Sequence, residues 1–305
     1  MRKIFILFIS LLMLSACANG SNQDIEKENL SIICPAGAPA LGFYNKLDNL
    51  QIAEAGIIKA QVLSNDKPDI AVLPTNVAVA LINGGAEYKL ASTITFGNFY
   101  ICSTGNDEDG IMSKEDNIVL FGEGSIPDLV FHYVYGNEFD DAITYVNDAS
   151  VALREIVSST SEADYVLIAQ PALFTAISKN EKAKEYANLQ ELYYEKSGCD
   201  MYQASIIVSN NIDHDVAVRF LSEVEEDINA LLENPEIIKS VIEEKQIAQE
   251  DVQSLFGNVD ADISVIKNNN GIGIGYKNAY DNKQAIDIYL ELFNLKGTNE
   301  EIYFQ

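Results

Sequence analysis

Leu30 to Pro39, LSIICPAGAP, and Ile118 to Pro127, IVLFGEGSIP, share one pattern, and that pattern decides the fold class. In each, an apolar run reads as a strand and breaks into small residues, and a proline then opens a helical segment. Proline suits the first turn of a helix, where its missing N–H is no loss. Gly37 and Gly124 allow a close backbone approach to whatever lies beyond the strand. A second unit follows each copy. Asp69 to Pro74 (DIAVLP) precedes a helix from Thr75, and Asp164 to Pro171 (DYVLIAQP) precedes one over Ala172 to Ile177. The same two units in the same order predict two similar α/β lobes, each a mixed, mostly parallel sheet flanked by helices.

Apolar stripes at helical spacing surround these units. Ile126, Leu129, Val130, Tyr133 and Val134 make one, and Ala217, Leu221, Val224, Ile228 and Leu231 make another behind the acidic start at Asp213 and Asp215. Ile286, Tyr289, Leu290 and Phe293 make a third. These are core faces. A helix is also expected around Leu41 to Leu50, and Ala204 to Val208 reads as a strand. Asn268 to Gly275 (NNNGIGIG) lacks the spacing of a dinucleotide loop and reads as a turn into a weak strand.

In open sheets of this class, ligands gather beyond the carboxyl ends of the strands, where loops feed helix N-termini. Such an N-terminus exposes free backbone N–H groups and a partial positive charge. Two lobes with such edges facing each other would form a cleft able to shut on a small molecule.

Composition narrows the partners. The chain has 305 residues, 48% apolar, with a formal charge of −26 and only Arg2, Arg154 and Arg219 as arginines. That field repels nucleic acid and anionic lipid, and no basic cluster offsets it. Cys34, Cys102 and Cys199 stand at long, irregular spacings, which is neither a disulfide framework nor a zinc pattern, so no metal or cofactor is expected. Cys34 and Cys102 lie in strand-like runs and read as buried thiols. His132 and His214 have no partner motif and read as structural.

The first 17 residues set the compartment. Arg2 and Lys3 precede an apolar run from Ile4 to Leu14, too short for a bilayer-spanning helix, which takes about 20 residues. Leu14-Ser15-Ala16-Cys17 resembles the bacterial lipobox, where cleavage before the cysteine leaves it lipidated. This implies a signal peptide over 1–16, a lipid anchor on Cys17, a polar tether over 17–29 and an extracytoplasmic protein held at the membrane by acyl chains alone.

The order of motifs resembles the substrate-binding lipoproteins of bacterial ABC importers, in the nitrate/sulfonate/taurine or thiamine-precursor branch. The resemblance rests on CPAGAPALG (34–42), PDIAVLPTNVAVAL (68–81), TFGNFYI (95–101), GEGSIP (122–127), ADYVLIAQPALFT (163–175) and MYQASIIV (201–208), and on the acidic-aromatic ending NEEIYFQ. It implies a two-lobed type-II periplasmic-binding-protein fold with crossovers near Asn98 to Ser103 and Tyr202 to Val208. Lobe one would hold 30–100 and 207–305, and lobe two 101–206. The implied ligand loops are Ala36, Gly37 and Ala38; Thr75 and Asn76; Gly124 and Ser125; Gln170; and Tyr202 and Gln203, with Phe96 near the outgoing crossover. Thr75, Asn76 and Ser125 read equally as N-caps, Gln170 as a solvated loop residue and Phe96 as core. The implied partners are a small-molecule solute, an ABC permease and its ATPase, with the binding protein a monomer.

The scarcity of arginine argues against bidentate clamping of an anion. Backbone N–H groups with Thr75, Asn76 and Ser125 would still suit a small oxyanion, and 15 tyrosines leave room for stacking on a flat heterocycle. Two other readings compete. The same fold hosts cytosolic enzymes, but the sequence has an export signal and no convincing acid–base pair or nucleophile motif. A surface lipoprotein binding a protein partner is the other.

Overall fold

A computed structural model describes residues 29–107, 109–295 and 299–305. The expected signal peptide, Cys17 anchor and most of the tether lie outside them. The first part of the chain runs β1 (Ile32–Cys34), α1 (Ala38–Leu41), β2 (Leu50–Ile52), α2 (Ala55–Val62), β3 (Ile70–Pro74), α3 (Thr75–Asn83) and β4 (Tyr88–Thr95). Next come β5 (Phe99–Ser103), β6 (Ile118–Phe121), α4 (Ile126–Tyr135), β7 (Ile143–Val146), α5 (Ala149–Val157), β8 (Tyr165–Ala169), α6 (Ala172–Lys179), β9 (Lys184–Asn188) and α7 (Leu189–Ser197). The remainder holds β10 (Ala204–Ser209), α8 (His214–Glu233), α9 (Ile237–Glu244), α10 (Gln249–Phe256), α11 (Val259–Lys267), β11 (Ile274–Asn278) and α12 (Lys283–Leu290).

The strands form two sheets, ordered β11-β4-β10-β3-β1-β2 and β7-β6-β8-β5-β9. The internal echo of the sequence is an echo of wiring. β1 lies between β2 and β3 in parallel, with Ile32 opposite Leu50 and Ile70. β6 lies between β7 and β8 in parallel, with Ile118 opposite Ile143 and Tyr165. In each sheet the next strand is reversed: β10 runs antiparallel to β3, and β5 antiparallel to β8. Each reversed strand comes from the far side of a chain crossing, over 96–98 in one direction and 198–203 in the other. Both sheets are thus mixed, with most strands pointing one way.

The strands read as continuous apolar runs because both faces of each sheet are covered. In the first sheet, Ile33, Ala71, Leu73 and Ile207 face one core, and Ile32, Cys34, Ile70, Val72 and Ile206 face the other, under Phe220, Val224 and Ile228 of α8. This is the period-two alternation of a strand. In the second sheet, Ile101, Leu120 and Leu167 join the first core, while Cys102, Val119 and Val166 pack on Ala152 and Leu173. One apolar core therefore passes through both sheets' layers. Tyr133 on α4, Tyr193 on α7, Tyr289 on α12 and Phe293 just beyond it form a chain of rings with centroid spacings of 5.0, 6.4 and 5.5 Å.

The helix expected around Leu41 to Leu50 is much shorter. α1 stops at Leu41, Phe43 and Tyr44 are both buried as adjacent turn residues, and Phe43 stacks on Phe220. Leu50 to Ile52 instead pair with β1, so sheet hydrogen bonding outcompetes helix extension there. The Asn268 to Gly275 segment is a turn that leads into β11. Gly273 (φ +69°) lies so close to the first crossing that a Cβ on it would stand 2.0 Å from the Gly97 carbonyl oxygen, and its own carbonyl accepts from Phe96 N–H at 2.8 Å.

Candidate functional site

The carboxyl end of β3 and the carboxyl end of β6 face a common cavity of about 400 Å³. Pro74, Asn76 and Val77 enter it from the start of α3, together with Gln203 from just before β10. Gly124, Ser125, Ile126 and Pro127 enter from the other side, at the start of α4. Phe99, Phe121 and Phe293 complete the wall, and Phe99 meets Phe121 edge-on at 6.4 Å. A larger hollow of about 520 Å³ lies among α9, α10 and α11, but it takes no residue from the second sheet or from either glycine loop. The smaller cavity, walled from both sheets, is the candidate site.

Its polar groups are few. Asn76 Oδ1 is buried and has no hydrogen-bond partner among the described residues. Ser125 Oγ donates to the Gly122 carbonyl at 2.5 Å and keeps its acceptor capacity. The Gln203 main chain is fully used: its N–H donates to Thr95 and its carbonyl accepts from Thr75 N–H, each at 3.0 Å. That pair of bonds fixes Gln203 where the second crossing meets both β4 and α3.

Behind the α4 loop sits a carboxylate. Asp128, 6% exposed, accepts from Gly124 N–H at 2.8 Å through Oδ2 and from Tyr145 O–H at 2.7 Å through Oδ1. His132 Nδ1 lies 3.0 Å from the same Oδ1, and its Nε2 lies 3.2 Å from Asp140. Burial, followed by the bond to Asp128, pushes the Tyr145 hydroxyl's pKa well up. His132, itself on α4, thus links that helix to Asp140 beyond its end. Asp128 sits in the first turn, where a negative charge complements the helix dipole.

The sequence-predicted residues divide by place. Asn76, Gly124, Ser125 and Gln203 meet at the cavity. Ala36, Gly37 and Ala38 lie elsewhere: Gly37 N–H donates to the Leu255 carbonyl at 2.9 Å, under α10. Thr75 is fully buried beside the cavity, its hydroxyl 2.7 Å from Ser205, which is 2.8 Å from Thr93. It makes no side-chain cap for α3. Gln170 N–H donates to Asn98, its Oε1 accepts from Phe174 N–H, and its bond to Pro171 is cis.

Phe96 and Tyr202 lie at the crossings and meet edge-on at 5.5 Å. The Lys277 ammonium stands 5.3 and 5.8 Å from their two ring centres and pairs with Asp200. Tyr202 O–H donates to Asn282 at 3.0 Å, and burial pushes its pKa up to about 12. These rings already hold a cation of the protein itself. The aromatic wall of the cavity comes instead from Phe99, Phe121 and Phe293, none of them among the ligand residues expected from the sequence. Phe99 and Phe121 sit at strand ends beside the predicted loops, a signal that was present; Phe293 had none beyond its helical stripe.

Cys34, Cys102 and Cys199 are buried free thiols, and burial raises the Cys102 pKa to about 12. Among the described residues no group of acidic, histidine or cysteine side chains has the arrangement of a metal site, and no helix is long and apolar enough to cross a membrane.

No protein-family model matches the sequence, and a search of curated proteins finds no match. Solved structures do match. An ABC transporter protein of Parabacteroides distasonis is 20% identical with a TM-score of 0.68, over 87% of this chain and 91% of that one. The periplasmic aliphatic sulphonate binding protein SsuA of Escherichia coli is 12% identical with a TM-score of 0.59, over 90% and 92%. A conserved Candida albicans gene product described as having the generic periplasmic binding protein fold is 14% identical with a TM-score of 0.52, over 90% and 92%. With two sheets of matching strand order joined by two crossings, this chain has the periplasmic-binding-protein fold.

Proposed function

We propose that the protein is an extracytoplasmic solute-binding lipoprotein, anchored through Cys17, that captures a small solute between two lobes and delivers it to an ABC permease driven by an ATPase. The lobes divide at the crossings, 30–100 with 207–305 against 101–206, and the protein acts as a monomer. The observation that carries this reading is the cavity of about 400 Å³ walled by α3 and Gln203 on one side and by the α4 loop on the other. A ligand touching both walls is held only while they stand together, so its binding energy biases the molecule toward closure. Asn76, Gly124, Ser125 and Gln203 are the contacts proposed. The cavity wall offers no acid–base pair, and its one hydroxyl, Ser125, is hydrogen-bonded to a carbonyl rather than to a base, which favours capture over catalysis.

Native mass spectrometry of the purified mature protein tests this directly, with a stoichiometric co-purified small molecule as the expected result. Replacing Ser125 with Phe fills the α4 side of the cavity and should remove that molecule, at least a tenfold loss of affinity by titration. Retention of the solute at unchanged affinity would place it elsewhere. An unlipidated product from the full precursor in a bacterial host would reject the anchor.

A further inference from the structure

The chemistry of the cavity goes further than its location. We propose that the solute is an uncharged, largely apolar organic molecule that presents one N–H or O–H to Asn76, and that oxyanions are refused. The proposal rests on the reading of this cavity as the solute site.

Size is the first argument. A cavity of about 400 Å³ falls in the range of sites for organic ligands, roughly 300–1,000 Å³. The lining is the second argument. Val77, Phe99, Phe121, Ile126 and Phe293 are apolar, and no lysine, arginine, aspartate or glutamate joins them. Lys59 lies in an adjoining hollow that shares Asn76, Val77 and Phe293, and it does not line the cavity.

The third argument concerns the α4 N-terminus, the place where a helix dipole would draw an anion. That place already holds the Asp128 carboxylate, which takes the Gly124 N–H that an anion would otherwise need. A second negative charge there meets a fixed one at close range. A cationic solute fares no better. Asp128 turns its oxygens to Gly124, Tyr145 and His132, so no carboxylate in the wall pairs with a buried cation. Asn76 supplies the positive requirement. Its Oδ1 is a buried acceptor with no partner among the described residues, and a buried acceptor left unpaired is costly. A donor on the solute satisfies it once the Asn76 side chain, which lines the wall, turns that oxygen to the cavity.

Calorimetric titration with four probes, benzamide, benzoate, benzylammonium and ethanesulfonate, tests the class with the ring held constant in three of them. Benzamide should bind at least tenfold more tightly than each of the others. Asn76→Leu should lower benzamide affinity at least tenfold, and Asp128→Asn should narrow the gap between benzamide and benzoate. Should Asp128→Asn fail to fold, the wild-type ranking and the Asn76 variant still decide. Benzoate, ethanesulfonate or benzylammonium binding as tightly as benzamide overturns the inference and leaves solute capture standing. If no probe binds while a co-purified solute is found by mass spectrometry, the inference falls alone. If neither appears, both readings fall.

Discussion

The turn after β1 and the turn after β6 share a pattern and serve different neighbours. Each has a glycine at positive φ, Gly37 at +81° and Gly124 at +70°, and each feeds a helix with proline in its first turn. Yet Gly37 N–H donates to the Leu255 carbonyl beneath α10, whereas Gly124 N–H donates to Asp128 on its own helix and lines the cavity. The first sheet reaches the cavity through the turn after β3 instead. The repeated unit thus records how a strand hands over to a helix. Which copy faces a ligand is decided by what else packs on it, and α10, on a helical stretch that only the first sheet carries, takes the Gly37 N–H of the β1 turn through Leu255.

The same contrast holds for two buried aspartates. Asp128 in the second sheet's layers is fully partnered. Asp262 in the first turn of α11 is 1% exposed, and neither of its oxygens has a hydrogen-bond partner among the described residues. Burial raises its pKa from 3.8 to about 7.

Removing the partnered carboxylate should have the largest effect. Asp128→Ala leaves Gly124 N–H and the Tyr145 hydroxyl without their acceptor, and a loss of about 3 kcal/mol in urea unfolding is expected. A loss under about 1 kcal/mol would mean the α4 loop holds its shape without that charge. The unpartnered one should act oppositely. A carboxyl whose folded pKa exceeds its unfolded value binds more protons in the native state, so stability falls as pH rises from about 4 to about 7. Asp262→Asn should flatten that fall and be more stable than the parent above pH 7, by on the order of 2 kcal/mol. Parallel pH profiles for the two proteins would contradict it.

The smallest effect separates the two turns most cleanly. A Cβ at Gly37 or at Gly124 meets nothing within 4 Å, so alanine at either costs only backbone strain, about 1–3 kcal/mol, with the larger share at Gly37, whose ψ of −138° lies in a region that glycine alone readily fills. Only Gly124→Ala should change solute binding, by a few-fold in titration. Equal effects on binding would put the β1 turn back in the site.

Much of the fold was legible in the sequence because strand-to-helix handover is local. Proline, small residues and apolar runs within ten positions were enough to place β1, β3, β6, β8 and the helices that follow β3, β6 and β8. The site was legible only in part. Asn76, Gly124, Ser125 and Gln203 lie at strand or helix ends, where ligands gather. The occupation of Gly37 by Leu255, the Thr75–Ser205–Thr93 hydroxyl chain and the clasp of Lys277 over Phe96 and Tyr202 each join residues far apart in sequence. No spacing rule reaches across such distances. Tertiary contact assigned those groups to the protein itself.

Phe293 belongs both to the cavity wall and to the chain of rings that runs through Tyr289 and Tyr193 to Tyr133. The chain contains no tryptophan anywhere. A single indole installed at position 293 would therefore be the sole emitter of its kind, seated at the solute and backed by tyrosine donors, so that filling and emptying of the gap would be visible as light.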